Sequence, residues 1–212
     1  MKKFELTTEF ITNFLGTKLF RIKALVEFGK VEKGELGGFV EKEENLDHDG
    51  NAWVYGDAWV SGDARVSGDA RVYGDAWVSG DAEVYGNAEV YGDARVYGDA
   101  EVYGNAEVSG DARVYGNARV YGDARVSGDA EVYGNQMYAT VKGFGSEYRN
   151  TTFFITKDGN VCVNCGCFSG TLEQFREKVE ETHKDTKYAK EYLMIADLME
   201  MHFKEELEKI KK

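Results

Sequence analysis

The chain has 212 residues, with 25 glycines and no proline, and its 26 basic and 38 acidic side chains give a formal charge of −12. A hydrophobic content of 42% argues against disorder, and the acidity disfavours duplex nucleic acid and anionic membranes as partners, because Lys and Arg side chains neutralise phosphates. No stretch approaches the length of about 18 apolar residues that a membrane span needs, and Glu5 and Glu9 interrupt any signal-peptide core, so we expect a cytoplasmic protein.

Residues 1–50 are predicted to form an N-terminal β cap. A β-like run occupies residues 19–26 (LFRIKALV), and residues 34–40 (GELGGFV) lead into the segment that follows. A cap is needed because a stack of coils leaves strand edges open at both ends, where further chains could add.

Residues 51–134 repeat every six residues as [Asp/Asn]-Ala-x-Val-[Tyr/Ser]-Gly, giving 14 copies without an insertion. The Ala-x-Val-[Tyr/Ser] part alternates as a strand does, and Gly-[Asp/Asn] is typical of a turn. One such strand cannot bury its valine, so the coils must stack around a shared core. We therefore predict a repeat domain over residues 51–135.

This repeat resembles that of the hexapeptide-type left-handed parallel β-helix, in which an aliphatic residue is followed four positions later by a small one, as Val54 is by Ala58. The resemblance implies triangular coils, each built from three hexapeptides. Two-sided coils of two hexapeptides share the same period, but a core of alanine and valine fits the narrow triangular prism better. The predicted fold is mainly β.

Residues 136–212 are predicted to form a small α+β domain. Two β-like runs, residues 152–155 and 161–163, flank the hairpin signal Lys-Asp-Gly-Asn at residues 157–160. A helix should begin at Thr171, with Gln174 completing a capping box, and a second should begin near Lys187. Both carry apolar residues at helical spacing, which we interpret as core positions: Leu172, Phe175 and Val179 in the first, and Tyr188, Tyr192, Ile195, Met199, Phe203, Leu207 and Ile210 in the second.

The outward positions of the repeat form columns, in which successive members lie three hexapeptides apart. Opposite charges follow one another in several columns, for example Arg71 with Glu89 and Arg113 with Glu131, and such ladders stabilise the fold without implying a function. Trp53 is also assigned to an outward position. One column departs from the charge ladder, because Trp59 and Trp77 are adjacent.

The column with these tryptophans also places Arg95 over Arg113, a like-charge pair that costs stability unless something binds there. Exposed tryptophan with arginine and a tyrosine ladder is typical of an interface or of a site for planar anionic ligands. The alternative is that the cap or the tail covers the tryptophans. The candidate ligand-binding residues are Trp59, Trp77, Arg95, Tyr97, Arg113, Tyr115 and Tyr133.

Three segments carry a resemblance to a family. They are residues 34–40 with 44–46 (ENL), the Gly-[Asp/Asn]-Ala-x-Val repeats, and residues 165–171 (CGCFSGT) with Phe175, Val179, His183 and Tyr192 further on. The chain resembles phage and prophage proteins usually described as bacterial transferase hexapeptide-repeat proteins. In such descriptions, the word transferase comes from the repeat, and a fold does not fix a function.

The resemblance to hexapeptide acyltransferases implies a catalytic histidine between coils of neighbouring subunits. The repeats contain no histidine, and the three in the chain are His48, His183 and His202. His48 is the residual candidate for a general base, although it also reads as a turn residue.

Cysteines supply the other candidate chemistry. Cys162, Cys165, Cys167 and His183 have side chains that zinc accepts, although their spacing is not that of a common zinc module. A redox thiol and simple packing are the alternatives. We predict no cofactor and no metal, with these four residues as weak metal candidates.

The sequence therefore predicts a non-enzymatic phage or prophage accessory protein, a homotrimer as triangular helices of this kind usually are. It would bind or sequester a small anionic or aromatic ligand, such as a nucleotide defence signal, or a host factor. An acyl-CoA-dependent acyltransferase and a structural spacer or virion component are the alternative hypotheses.

Overall fold

In the computed structural model, which describes residues 1–210, each hexapeptide forms a two-residue strand, x-Val, followed by a corner. The strands of the repeat are Trp53–Val54 (β4), Trp59–Val60 (β5), Arg65–Val66 (β6), Arg71–Val72 (β7), Trp77–Val78 (β8), Glu83–Val84 (β9), Glu89–Val90 (β10), Arg95–Val96 (β11), Glu101–Val102 (β12), Glu107–Val108 (β13), Arg113–Val114 (β14), Arg119–Val120 (β15), Arg125–Val126 (β16) and Glu131–Val132 (β17).

Strands three hexapeptides apart pair in parallel, so that Trp59 lies beside Trp77 and Val60 beside Val78. Every third strand joins the same sheet, and the three sheets run β5-β8-β11-β14-β17, β4-β7-β10-β13-β16 and β6-β9-β12-β15. The predicted coil of three hexapeptides, with three faces, is confirmed, and the protein is a parallel β-solenoid.

Alanine and valine fill the inside of the solenoid. From Ala52 to Val132 these two residues of every copy are buried. Burial of apolar side chains is the main force that stacks the coils, and no single hexapeptide achieves it alone. The corner glycines from Gly56 to Gly128 have positive φ, and those in the middle of the repeat stack closely: a Cβ on Gly92 would lie 3.0 Å from the backbone nitrogen of Gly110.

The N-terminal residues extend one sheet of the solenoid. Phe4–Thr12 (β1), Lys18–Ala24 (β2) and Leu36–Val40 (β3) are successively antiparallel, and β3 pairs in parallel with β5. The predicted strands at residues 19–26 and 34–40 correspond to β2 and β3, whereas the sequence pattern does not predict β1. Its burial does not alternate strictly, and its pairing with β2 is interrupted between Leu6 and Phe10.

Trp53 is buried, and its assignment to an outward position is wrong. Its ring lies 5.3 Å from that of Phe28 and 6.2 Å from that of Phe4, and among residues 1–210 the indole nitrogen has no hydrogen-bond partner. Gly37 makes this packing possible, since a Cβ there would come within 2.7 Å of the indole. The first coil is covered by the cap, which the repeat pattern alone does not reveal.

Two buried side chains close the open edge of the first coils. Lys3 Nζ donates to the carbonyl oxygens of Gly50 and Ala52, at 3.4 and 3.0 Å. Asn45 Nδ2 donates to those of Gly62 and Ala64, at 3.0 and 2.8 Å. These donors replace the neighbouring strand that the first coils lack.

A four-stranded antiparallel sheet follows the repeat, formed by Tyr138–Val141 (β18), Thr151–Ile155 (β19), Val161–Cys165 (β20) and Phe168–Thr171 (β21). The predicted hairpin joins β19 to β20. Helix Leu172–His183 (α1) begins with the predicted capping box between Thr171 and Gln174, and helix Lys187–Ile210 (α2) follows. Within residues 1–210, no helix is both long and apolar enough to cross a membrane.

This sheet closes the other end of the solenoid. Thr152 Oγ1 accepts from the backbone N–H of Arg125, and Asn164 Nδ2 donates to the carbonyl oxygen of the same arginine. The Tyr138 hydroxyl donates to the carbonyl oxygen of Arg119. One face of the sheet therefore meets the last coil, and the opposite face packs against α1.

Candidate binding face

The candidate residues lie together on one face of the solenoid, which we call the ladder face. Each of the strands β5, β8, β11, β14 and β17 contributes two outward side chains. One is the first residue of the strand, and the other is the residue that directly follows the strand. They are Trp59, Ser61, Trp77, Ser79, Arg95, Tyr97, Arg113, Tyr115, Glu131 and Tyr133.

The aromatic rings of the ladder face form one continuous stack. The Trp59 and Trp77 rings are 4.9 Å apart with an angle of 7° between their planes, and Tyr97 follows Trp77 at 5.8 Å. Tyr115 stacks on Tyr97 at 5.0 Å, and Tyr133 follows at 5.9 Å with a tilt of 46°. Because the ring faces between Trp59 and Tyr115 contact one another, these rings present their edges to the outside.

The turn between β1 and β2 reaches the upper end of this stack. The ring of Phe14 contacts Trp59 at 6.4 Å and Trp77 at 5.9 Å, both edge to face. Phe14 itself is 74% exposed and the neighbouring Leu15 is 76% exposed. The cap therefore touches the tryptophans without enclosing them, and it enlarges the apolar surface.

Arg95 occupies the middle of the ladder face. Its guanidinium lies 5.3 Å from the centre of the Trp77 ring, and its strand pairs directly with that of Arg113. Arg113 is neutralised by Glu131 at 3.3 Å, whereas Arg95 makes no ion pair within residues 1–210. Of the two neighbouring arginines predicted from the sequence, Arg113 thus has a carboxylate partner within residues 1–210 and Arg95 has none.

On the other two faces, three tyrosine hydroxyls have acceptors within the solenoid. The hydroxyls of Tyr73, Tyr85 and Tyr91 each donate to a glutamate sixteen residues later. Burial, together with Glu101, raises the pKa of Tyr85 to about 12. On the ladder face, the residue sixteen positions after Tyr97 is Arg113, which donates and cannot accept. Burial raises the pKa of Tyr97 as well, so its hydroxyl stays protonated.

Helix α2 marks the lower end of the stack. The hydroxyl of Tyr133 donates to Glu206 at 3.3 Å, and Glu206 also accepts from Lys209. The ladder face thus runs from Phe14 in the cap to Glu206 in α2, and the sequence indicated the repeat part of it. Phe14 and Glu206 were missed, because only the fold brings these distant segments to the column.

His48 lies in a groove of about 840 Å³ on another face, lined also by Glu43, Arg65 and Tyr85. Its Nδ1 accepts from the backbone N–H of Lys3 at 3.2 Å, and its Nε2 lies 2.8 Å from the Glu43 carboxylate. Lys2 and His48 lower the pKa of Glu43. Both ring nitrogens are therefore engaged by other groups of the protein.

The cysteines do not form a metal-ligand set with His183. Cys162 and Cys165 lie on opposite faces of β20, with Cys162 on the face that meets the solenoid. Within residues 1–210, no group of three His, Cys, Asp or Glu side chains has the geometry to hold a metal ion. Burial, with Glu173 and Asp129 nearby, raises the pKa of Cys162, so a smaller fraction of this thiol is ionised at neutral pH.

Comparison with known proteins identifies the repeat. The family model described as YdcK beta solenoid repeat matches residues 64–80, 106–121, 112–128 and 118–134, all inside the solenoid. None of the curated proteins is detectably similar to the chain. The fold and this match define the class, a β-solenoid repeat protein, and the cap and the C-terminal region lie outside the matched residues.

Proposed function

We propose that the protein is a non-enzymatic binding protein that assembles through the ladder face as a homotrimer, and that the grooves between its subunits capture an anionic ligand or partner through Arg95. The observation that carries this proposal is the guanidinium of Arg95, which has no ion pair within residues 1–210 and lies against Trp77 in the middle of a partly exposed aromatic stack.

The apolar surface at the upper end of the ladder face supports association. Phe10, Ile11, Phe14 and Leu15 are exposed on and beside the β1-β2 turn, and Phe14 contacts the tryptophan pair. Exposed apolar side chains that lie together mark interaction surfaces, and Phe14 and Leu15 are the most exposed of these four. Aromatic residues with arginine are also the composition of interface hot spots.

Charge supports an anionic partner. Arg71, Arg113, Arg119 and Arg125 of the repeat each pair with a glutamate in the neighbouring coil. Arg65, which like Arg95 has no ion pair within residues 1–210, lies in a groove with the carboxylates of Glu43, Glu44, Asp47 and Glu83, where an anion is repelled. Arg95 has no such carboxylates in its column except Glu131, which Arg113 already engages.

More specifically, we propose a cytoplasmic phage or prophage accessory protein that sequesters a small nucleotide used as a host defence signal. The phosphates would contact Arg95 and the base would lie in the groove between subunits. Because the ring faces of the ladder are occupied by one another, the base would meet ring edges and the neighbouring subunit.

The experiment is a calorimetric titration with a cyclic dinucleotide, and with inorganic phosphate as a simple anion. Arg95→Gln should lower the affinity by about tenfold or more, as expected for loss of a charge-assisted contact. Arg65→Gln, the matched unpaired arginine on another face, should leave it unchanged. The nucleotide form of the proposal fails if Arg95→Ala, Arg113→Ala and Tyr97→Ala leave every nucleotide affinity unchanged.

A further inference from the structure

A small cavity of about 270 Å³ lies in the C-terminal region, between the β20-β21 hairpin and the two helices. Phe168, Phe175 and Val179 form apolar walls, and Cys165 and Cys167 reach the cavity from the hairpin. These are the residues of the tail motif seen in the sequence, and the fold brings them together with His183 and Tyr192. The proposed assembly through the ladder face leaves this cavity without a role.

Tyr192 places a buried hydroxyl at this cavity. The residue is 6% exposed, and its oxygen accepts a weak hydrogen bond from Cys165 Sγ at 3.8 Å. Among the hydrogen bonds of residues 1–210, none has the Tyr192 hydroxyl as donor. Burial and then Cys165 raise the pKa of Tyr192 to about 12, so the hydroxyl stays protonated at neutral pH, and within residues 1–210 no oxygen or nitrogen atom accepts its proton.

Two glycines lie directly against the polar groups of the cavity. A Cβ on Gly145 would lie 1.9 Å from the Tyr192 hydroxyl oxygen, and one on Gly166 would lie 2.5 Å from an Arg149 guanidinium nitrogen. Both glycines have positive φ, at 74° and 61°. The backbone thus approaches these two side chains more closely than any other residue would permit.

The lining of the cavity favours an anion. Arg149 and Lys178 carry positive charge, against the single carboxylate of Glu147. The Arg149 guanidinium is only loosely paired with Glu147, at 3.7 Å, and Lys178 pairs with Glu181 at 2.6 Å. Arg149 is therefore the cation that a bound anion can engage at least cost.

We propose that this cavity binds a small monocarboxylic acid with an aromatic ring. The carboxylate accepts from the Tyr192 hydroxyl and from the Arg149 guanidinium, and the ring packs against Phe168, Phe175 and Val179. The size agrees, because a cavity of about 150 Å³ holds a benzene ring, and about 270 Å³ leaves room for the carboxylate as well.

The chain contains its own probe and control for this site. Cys165 lines the cavity, whereas Cys162 lies on the opposite face of the same strand. The experiment measures the alkylation rate of each cysteine of the full-length protein with iodoacetamide, by peptide mass spectrometry. Millimolar benzoate is added at constant ionic strength, and benzamide serves as the uncharged analogue of equal shape.

Benzoate should slow the alkylation of Cys165 several-fold and leave Cys162 unchanged, and benzamide should protect much less. Tyr192→Phe should remove the protection by benzoate. Arg149→Gln, which changes a half-exposed side chain, should do the same if the first variant fails to fold. Unchanged alkylation of Cys165 in benzoate would overturn the proposal, and so would equal protection by benzamide.

Discussion

The indole rings of Trp59 and Trp77 stack 4.9 Å apart, with 7° between their planes, although the two residues belong to hexapeptides one full coil apart in the sequence. This contact follows from the coil length, because strands one coil apart are neighbours in a parallel sheet. The stack continues through Tyr97 and Tyr115, so a column of the repeat becomes a continuous surface. The proposed assembly depends on that surface being left exposed by the subunit.

Because the corners stack closely, replacing a glycine in the middle of the repeat should destabilise the fold. Gly92→Ala should lower the unfolding temperature by several degrees, since the alanine must adopt φ near +71° and its Cβ meets the backbone of Gly110 at 3.0 Å. Gly128→Ala is the matched control, because it has a similar φ of 62° and open space around the added Cβ. Equal loss in the two variants, measured by calorimetry, would show that corner stacking contributes nothing.

Asn45 should be essential to the closure of the first coils. Asn45→Ala should lower the free energy of unfolding by about 2 to 3 kcal/mol, because two buried carbonyl oxygens lose their donor. Asn87→Ala removes an exposed amide that donates to Asn105, and should cost at most about 0.5 kcal/mol. If both variants unfold at the same denaturant concentration, the side-chain cap is not what closes the solenoid.

Lys3 should make the free energy of unfolding depend on pH in the alkaline range. Burial lowers its pKa to about 8, an effect that Asp47, Asp49 and Asp69 partly offset. Between that value and the ordinary pKa of 10.5, the unfolded chain binds more protons than the folded one, so this group makes stability rise with pH over that window.

To isolate this effect, the free energy of unfolding is measured by denaturant titration between pH 7.5 and 9.5. The wild-type protein is compared with Lys3→Met. The rise should disappear in Lys3→Met and remain in Lys33→Met, which changes an exposed lysine. A rise of the same size in all three proteins would assign it to other groups.

A charge on the ladder face should disrupt assembly without unfolding the subunit. Trp77→Glu places a carboxylate in the middle of the proposed interface and should yield monomers in sedimentation velocity, with nearly unchanged circular dichroism. Tyr103→Glu makes a comparable change in the tyrosine stack of another face, where Tyr103 lies between Tyr85 and Tyr121, and should leave the oligomer intact. Dissociation by both variants, or by neither, would contradict the assignment of the interface.

The repeat made most of the fold predictable, because the alanine and the valine are buried in each of its 14 copies and the coil length fixes the register. Local signals also sufficed for the β19-β20 hairpin and for the capping box at Thr171. Trp53 was misassigned because its burial is caused by the cap, through Phe4 and Phe28, and not by the repeat.

The candidate site was predictable only in part, for the same reason. Column positions follow from the period, so Trp59, Trp77, Arg95 and the tyrosines could be placed on one face from sequence. The contact with Phe14 depends on the length and path of the β1-β2 hairpin, and the cavity around Tyr192 depends on how two helices pack on a sheet. Those are tertiary arrangements that no local pattern encodes.

A native mass spectrum of the protein, purified from cells without added ligand, tests the proposed trimer directly. We predict the mass of three chains, with an additional few hundred daltons for each groove that retains its ligand. Three bare chains would support the assembly and argue against a tightly retained ligand. A spectrum of single chains would contradict the proposed binding function, since the grooves exist only between subunits.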